Sequence, residues 1–121
     1  MAAVGKFVGL LLSSREQAHV FHLTTSSFAA HKALQSYYES IIPLVDSYAE
    51  TYMGKVGKKV TGLSPSINKK IYTDAKLAKK FFMNLSKRLK VLKLPRVGSL
   101  ENIRQEIDAL IKQTVYMLSL R

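Results

Sequence analysis

An all-α fold, a four-helix bundle, is predicted for this 121-residue chain by three features of its sequence. Apolar residues recur at intervals of three and four along almost its whole length, and few strand signals compete with them. Three breaks rich in hydroxyls, glycine or proline divide that pattern into four segments. The length matches a single domain with a modest core, and an apolar content of 47% fits a folded chain.

The first helix is expected over residues 4–25, with Phe7, Leu11, Ala18 and Phe21 on one apolar stripe. Val8, Leu12, Arg15, His19, His22 and Ser26 form the neighbouring stripe. The run "TTSS" ends it, because hydroxyl side chains compete for backbone hydrogen bonds and serve as caps. The second helix is expected over residues 27–53, with the seam Leu34, Tyr38, Ile41, Val45, Tyr48 and Tyr52. Pro43 lies inside it, removes one N–H donor and is expected to kink it. The connector "GKVGKKVTGLSPS" carries three glycines. Ser64 and Pro65 form a cap followed by proline at a first helical position, which starts a third helix over residues 65–93. Its buried face comprises Ile67, Ile71, Ala75, Ala78, Phe82, Leu85, Leu89 and Leu92. "LPRVGS" stops it, and Ser99 is expected to cap a last helix over residues 99–120. There the apolar row is Leu100, Ile103, Ile107, Leu110, Thr114 and Met117.

Charge is distributed unevenly. Residues 55–96 hold thirteen of the nineteen Lys/Arg and only one acid, Asp74. A field of that sign and size favours polyanions, either nucleic acid or an acidic partner protein, although charge runs also form plain solvated faces. The candidate anion-binding side chains are Lys55, Lys58, Lys59, Lys69, Lys70, Lys76, Lys79, Lys80, Lys87, Arg88 and Lys90. Phosphate binding needs only positive charge and reads no base sequence.

All three histidines, with Asp46 and Glu50, fall between residues 18 and 50. Asp46 and Glu50 stand one turn apart, so their carboxylates can converge on one cation; oxygen and imidazole ligands together suit iron, manganese or zinc. His31 precedes Asp46 by 15 residues, roughly 22 Å along a helix. A mixed site must therefore take its histidine from another helix or another subunit. The competing reading has the imidazoles and carboxylates satisfying one another at a helix interface.

The motifs "FAAH", ending at His31, and "DSYAE", holding Asp46 and Glu50, resemble those of the ferritin-like superfamily, specifically the Dps-type mini-ferritins. His19 precedes His31 by twelve residues, which matches the spacing in that family. The resemblance implies a ferritin-like bundle, iron oxidation, DNA binding and a homo-oligomer. In it, His19 or His22 together with His31 would come from one subunit, and Asp46 and Glu50 from its mate. The chain departs from the family at Val20, where a tryptophan is usual, and at Gln35, where an acid is usual. It is also similar to small ferritin-like proteins of phages and large viruses, through "AHVFH" (18–22), "HKAL" (31–34) and "QTVYML" (113–118). That likeness implies no activity, and leaves a virion or nucleoid scaffold without metal as the alternative.

Other chemistries find no footing in the sequence. Without cysteine there are no disulfides, zinc knuckles, iron–sulfur clusters or thiol nucleophiles. No strained serine elbow accompanies a histidine, and "GKVGKKVTG" lacks P-loop spacing. The apolar run "FVGLLL" is too short for a membrane span and leads into Arg15 and Glu16. The expectation is a soluble chain of the cytoplasm, or of a virion, with no membrane partner. The tyrosines at seam spacing are expected in the core rather than at a base-stacking surface.

Overall fold

The computed structural model describes residues 2–65 and 75–120. It contains four helices: α1 (Ala2–Thr24), α2 (Phe28–Val56), α3 (Ala75–Lys90) and α4 (Gly98–Leu118), with no strand among the described residues. None of these helices is long and apolar enough to cross a membrane. The fold is the all-α four-helix bundle that the periodicity predicts.

Contacts fix the direction of each helix. α1 and α2 form an antiparallel hairpin across a three-residue turn, the tip of the bundle. At the opposite end, the base, Phe7 of α1 meets Tyr48 of α2 with ring centroids 4.7 Å apart. Phe81 lies against Phe21, 5.5 Å away, near the start of α3, while Leu89 near its end shares a small cavity with Phe7. α3 therefore runs from tip to base, parallel to α2. α4 starts beside Tyr48 and returns to the tip. α2 therefore ends at the base and α3 begins toward the tip, an order of helices that calls for a crossover between them.

The core gathers inward positions from all four helices. Its largest fully buried side chains include Phe7, Phe21, Tyr37, Tyr48 and Phe82. Each large apolar side chain buried in this way contributes about 1.5–3 kcal/mol of transfer free energy. On α2 the inward seam is Leu34, Tyr37, Ile41, Val45, Tyr48 and Tyr52, with Tyr37 taking the place expected for Tyr38. The reason is tertiary: the Tyr37 hydroxyl meets Ser14 of α1 at 2.6 Å. Ser14 gives its own hydrogen to the Leu11 carbonyl, so Tyr37 donates and Ser14 accepts. Burial raises the Tyr37 pKa, and this hydrogen bond opposes the rise in part.

The boundaries follow local chemistry, with three departures from expectation. Ser27 caps α2 by accepting from the Ala30 N–H at 3.2 Å, as the hydroxyl-rich break predicts. Helix α2 continues through Pro43 and Gly54 and ends at Gly57, whose left-handed backbone (φ 76°) lets its N–H return to Met53. Pro65, the expected first residue of the third helix, is not helical; the expected buried positions Ile67 and Ile71 lie within residues 66–74, outside the described residues. α3 ends at Lys90, three residues early, where the chain turns and Leu92 N–H bonds to Leu89. Ser99 does not cap α4: that helix starts at Gly98 after Val97, and no side chain caps it.

The crossover leaves the base by climbing along α1. A Cβ on Gly5 would collide with the Thr61 carbonyl, and one on Gly9 would stand 3.3 Å from the Ser64 nitrogen. The two glycines, one turn apart, form a smooth track on which connector backbone, left-handed at Gly62 (φ 76°), lies directly against helix backbone.

Candidate functional site

Eleven of the thirteen cations between Lys55 and Arg96 are described, and no acid in that range is among the described residues. Lys69 and Lys70 lie outside the described residues. α3 divides its surface sharply. Ala78, Phe82 and Leu85 are buried against the bundle, whereas Lys76, Lys80, Met83, Lys87 and Lys90, spaced 4, 3, 4 and 3, are all exposed on the opposite side. This lysine row is about 21 Å long at 1.5 Å per residue. Lys79 and Arg88 flank it. Lys55 in the last turn of α2, with Lys58 and Lys59 just beyond it, adds exposed charge at the base.

Lys93 and Arg96 were not among the anion-binding candidates, yet both are exposed and continue Lys87 and Lys90 at three-residue intervals into the α3–α4 loop. That interval was the available signal. Together with Lys90 they border a basin of about 970 Å³, whose walls include Leu89, Leu92, Leu94 and the Glu101–Arg104 ion pair. The Arg104 hydrogen bond holds the Glu101 carboxyl below its ordinary pKa. The other ion pairs recorded are Arg15–Glu16 and Lys112–Asp108. None of the three engages Lys80, Lys87, Arg88 or Lys90, so the charge of these four side chains is presented outward.

The histidines meet at the tip. His22 in the last turn of α1 and His31 in the first turns of α2 stack with ring centroids 3.6 Å apart. Each places Nδ1 2.8 Å from the other's backbone carbonyl oxygen. A carbonyl only accepts, so both rings carry hydrogen on Nδ1, and in the neutral rings Nε2 is the acceptor atom. The result is a reciprocal clasp across the hairpin turn, with His22 only 8% exposed. His19 stacks on Tyr38 at 4.6 Å, and the Arg15 guanidinium lies over the same tyrosine ring at 5.4 Å.

Asp46 and Glu50 are exposed and lie further along α2 toward the base. The structure thus brings His19, His22 and His31 together and leaves the two carboxylates elsewhere. Among the described residues, no group of three His, Cys, Asp or Glu side chains is disposed to hold a metal ion.

One buried polar atom stands apart. The Tyr48 hydroxyl is enclosed without a hydrogen-bond partner, close to Glu101 and Arg104. Burial, reinforced by Glu101 and Tyr52 and opposed by Arg104, pushes its pKa up to about 12.

A family model described as a family of unknown function (DUF5856) matches residues 22–118, and the chain belongs to that family. A protein of Enterobacteria phage T4, described as an uncharacterized 14.6 kDa protein in the mobD-ri intergenic region, is 33% identical over 64 residues. That alignment covers 53% of this chain and 50% of the relative, so the chain spans about half the length of the curated relative it matches. No solved structure matches the chain.

Proposed function

We propose that this DUF5856 protein is a helical scaffold that holds a polyanion, through a cationic surface centred on the exposed face of α3. The observation that carries this reading is the set Lys80, Lys87, Arg88 and Lys90: exposed, outside the Arg15–Glu16, Glu101–Arg104 and Lys112–Asp108 ion pairs, and set on a helix whose apolar side is already buried. Its similarity to a phage T4 protein supports a place among phage components. The bundle supplies rigidity and the row supplies charge, with no reacting group required. Replacing Lys80, Lys87 and Lys90 by glutamate should abolish retention of the 121-residue protein on immobilised heparin at physiological salt. Undiminished retention would sink the reading.

A Dps-like role with iron is the second reading, favoured by the exposed Asp46 and Glu50 one turn apart on α2. Among the described residues of one protomer no group of three His, Cys, Asp or Glu side chains could hold a metal ion, so this reading rests on a homo-oligomer in which a second copy brings its histidines to these carboxylates. Anaerobic addition of Fe(II) followed by oxygen should then produce an absorbance rise that is lost in Asp46→Ala/Glu50→Ala. A silent wild-type protein removes iron from consideration.

A further inference from the structure

We infer that the occupant of the α3 row is a second copy of this chain, which docks the acidic outer stripe of its own α2 there and so builds an open array. The inference rests on the polyanion reading above and names its partner. Three observations carry it.

The first is a match of pattern. On α2, Glu39, Pro43, Asp46 and Glu50 are exposed at intervals of 4, 3 and 4, which sets three carboxylates and one apolar ring on a single outer face. On α3, Lys80, Met83, Lys87 and Lys90 are exposed at intervals of 3, 4 and 3. Each stripe reads charge, apolar, charge, charge, and the signs are opposite. At 1.5 Å per residue the two are nearly equal in length, about 17 Å on α2 and about 15 Å on α3. None of the recorded ion pairs, Arg15–Glu16, Glu101–Arg104 and Lys112–Asp108, engages any of these six charges. Glu39 accepts a hydrogen bond from the neutral Gln35 side chain at 3.0 Å, which leaves its charge in place.

The second is a match of level. Phe7 meets Tyr48 and lines one small cavity with Leu89, so Tyr48 and Leu89 stand at the same height in the bundle. From that height α2 and α3 run parallel. Two residues back from each lie Asp46 and Lys87, and nine residues back lie Glu39 and Lys80. Pro43 and Met83 are five and six residues back, and Glu50 and Lys90 are two and one residues beyond. Each charge on one stripe therefore finds its opposite at its own level on the other.

The third is placement. α2 packs chiefly against α1 and α4, and α3 against the same two helices, so α2 and α3 hold diagonal corners. Their exposed faces point away from each other, and the two stripes of one chain cannot meet. A copy displaced sideways without rotation brings its α2 stripe onto the α3 row of the first, with every level matched. That contact is heterologous: each copy leaves one stripe open for the next, and copies add in a row. It differs in this from a closed pair in which histidines of one subunit face carboxylates of its mate. Exposed ion pairs are individually weak, and the net charge of +11 opposes crowding. At physiological salt, repulsion beyond about 8 Å is screened while pairs in contact persist. The association is therefore reversible and salt-sensitive.

The chain has no cysteine, so introduced ones can trap the contact. Under mild oxidation Asp46→Cys/Lys87→Cys should give a ladder of disulfide-linked multimers on a non-reducing gel. Asp46→Cys or Lys87→Cys alone should remain monomeric. A ladder that stops at the dimer, or self-linking of either single variant, overturns the array. In sedimentation velocity at physiological salt, the mass of the wild type should rise past that of a dimer as concentration increases. Lys80→Glu/Lys87→Glu/Lys90→Glu and Glu39→Lys/Asp46→Lys/Glu50→Lys should each associate at least about tenfold more weakly, with helical circular dichroism unchanged. Their equimolar mixture, which restores opposite signs at every contact, should recover the wild-type behaviour. A mixture no larger than its parts overturns the pairing of these stripes. A monomeric wild type whose heparin retention is lost in Lys80→Glu/Lys87→Glu/Lys90→Glu overturns the second copy as occupant and keeps the polyanion reading. Undiminished heparin retention by that variant overturns the polyanion reading itself.

Discussion

The two ends of the bundle are built on opposite principles. At the tip, polar groups are consumed internally: His22 and His31 bond each other's backbone, Ser27 caps α2, and His19 and Arg15 close over Tyr38. At the base, charge faces outward: Lys55, Lys58, Lys59, Lys90, Lys93 and Arg96 are all exposed. The base is held instead by close backbone approach and by the Phe7–Tyr48 contact. Histidines in a charged protein invite a functional reading, yet here Nδ1 of both His22 and His31 is spent on holding a turn. The lysines, chemically plainer, are the groups left available to a partner.

Four substitutions would break or sharpen this contrast. The largest effect is expected at the base from Gly5→Ala, where the new methyl meets the Thr61 carbonyl, a backbone atom that cannot rotate aside. Displacing the crossover should cost about 3 kcal/mol or more, seen as a drop in the urea midpoint, and a loss below 1 kcal/mol would show that the track is loose.

The next effect is a pH dependence, also near the base. The folded state holds the Tyr48 pKa up to about 12, against 10 for an ordinary tyrosine. Between those values the unfolded chain binds fewer protons, so stability is complete below pH 10 and declines as the pH rises toward 12. At 1.36 kcal/mol per pKa unit the full loss is about 3 kcal/mol. Tyr48→Phe should make this alkaline decline shallower, leaving the part that belongs to the raised Tyr37 pKa, and, by removing a hydroxyl without a partner, leave stability at pH 7 equal or higher. An equally steep decline in that variant would assign the effect to another group.

The smallest effect belongs to the tip. His22→Ala should cost about 2 kcal/mol, through a lost buried hydrogen bond and lost packing, and His31→Ala about half that. Their coupling in a double-mutant cycle should reach about 1 kcal/mol. Additive losses would mean that the two rings do not support each other.

Much of the fold is legible in the sequence because burial follows spacing. Leu34, Ile41, Val45, Tyr48 and Tyr52 lie inward as their intervals require. Spacing alone does not separate Tyr37 from Tyr38, which flank the seam as chain neighbours; Ser14 on another helix decides between them. The α4 start misleads for a local reason, since Ser99 is a good capping residue by type but already lies inside the helix. The candidate site divides in the same way. The α3 row is a one-dimensional pattern, visible as 4, 3, 4, 3, whereas the clasp depends on the register of a hairpin that brings residues nine apart face to face. The Gly5–Gly9 track is written as "GKFVG", but nothing local shows that a strand of backbone will cross it.

The crossover on that track also bears on the order of folding. The tip contacts join residues nine apart, whereas Thr61 must find Gly5 across 56 residues of chain. Closing the longer loop costs more entropy, and long-range contacts slow the search. The hairpin is therefore expected to zip from the tip, with the crossover laid onto α1 late. In kinetic terms His22 and His31 should give high φ-values, and Gly5→Ala should chiefly accelerate unfolding. The cationic end would then be the last part of the protein to take shape, and the first to open.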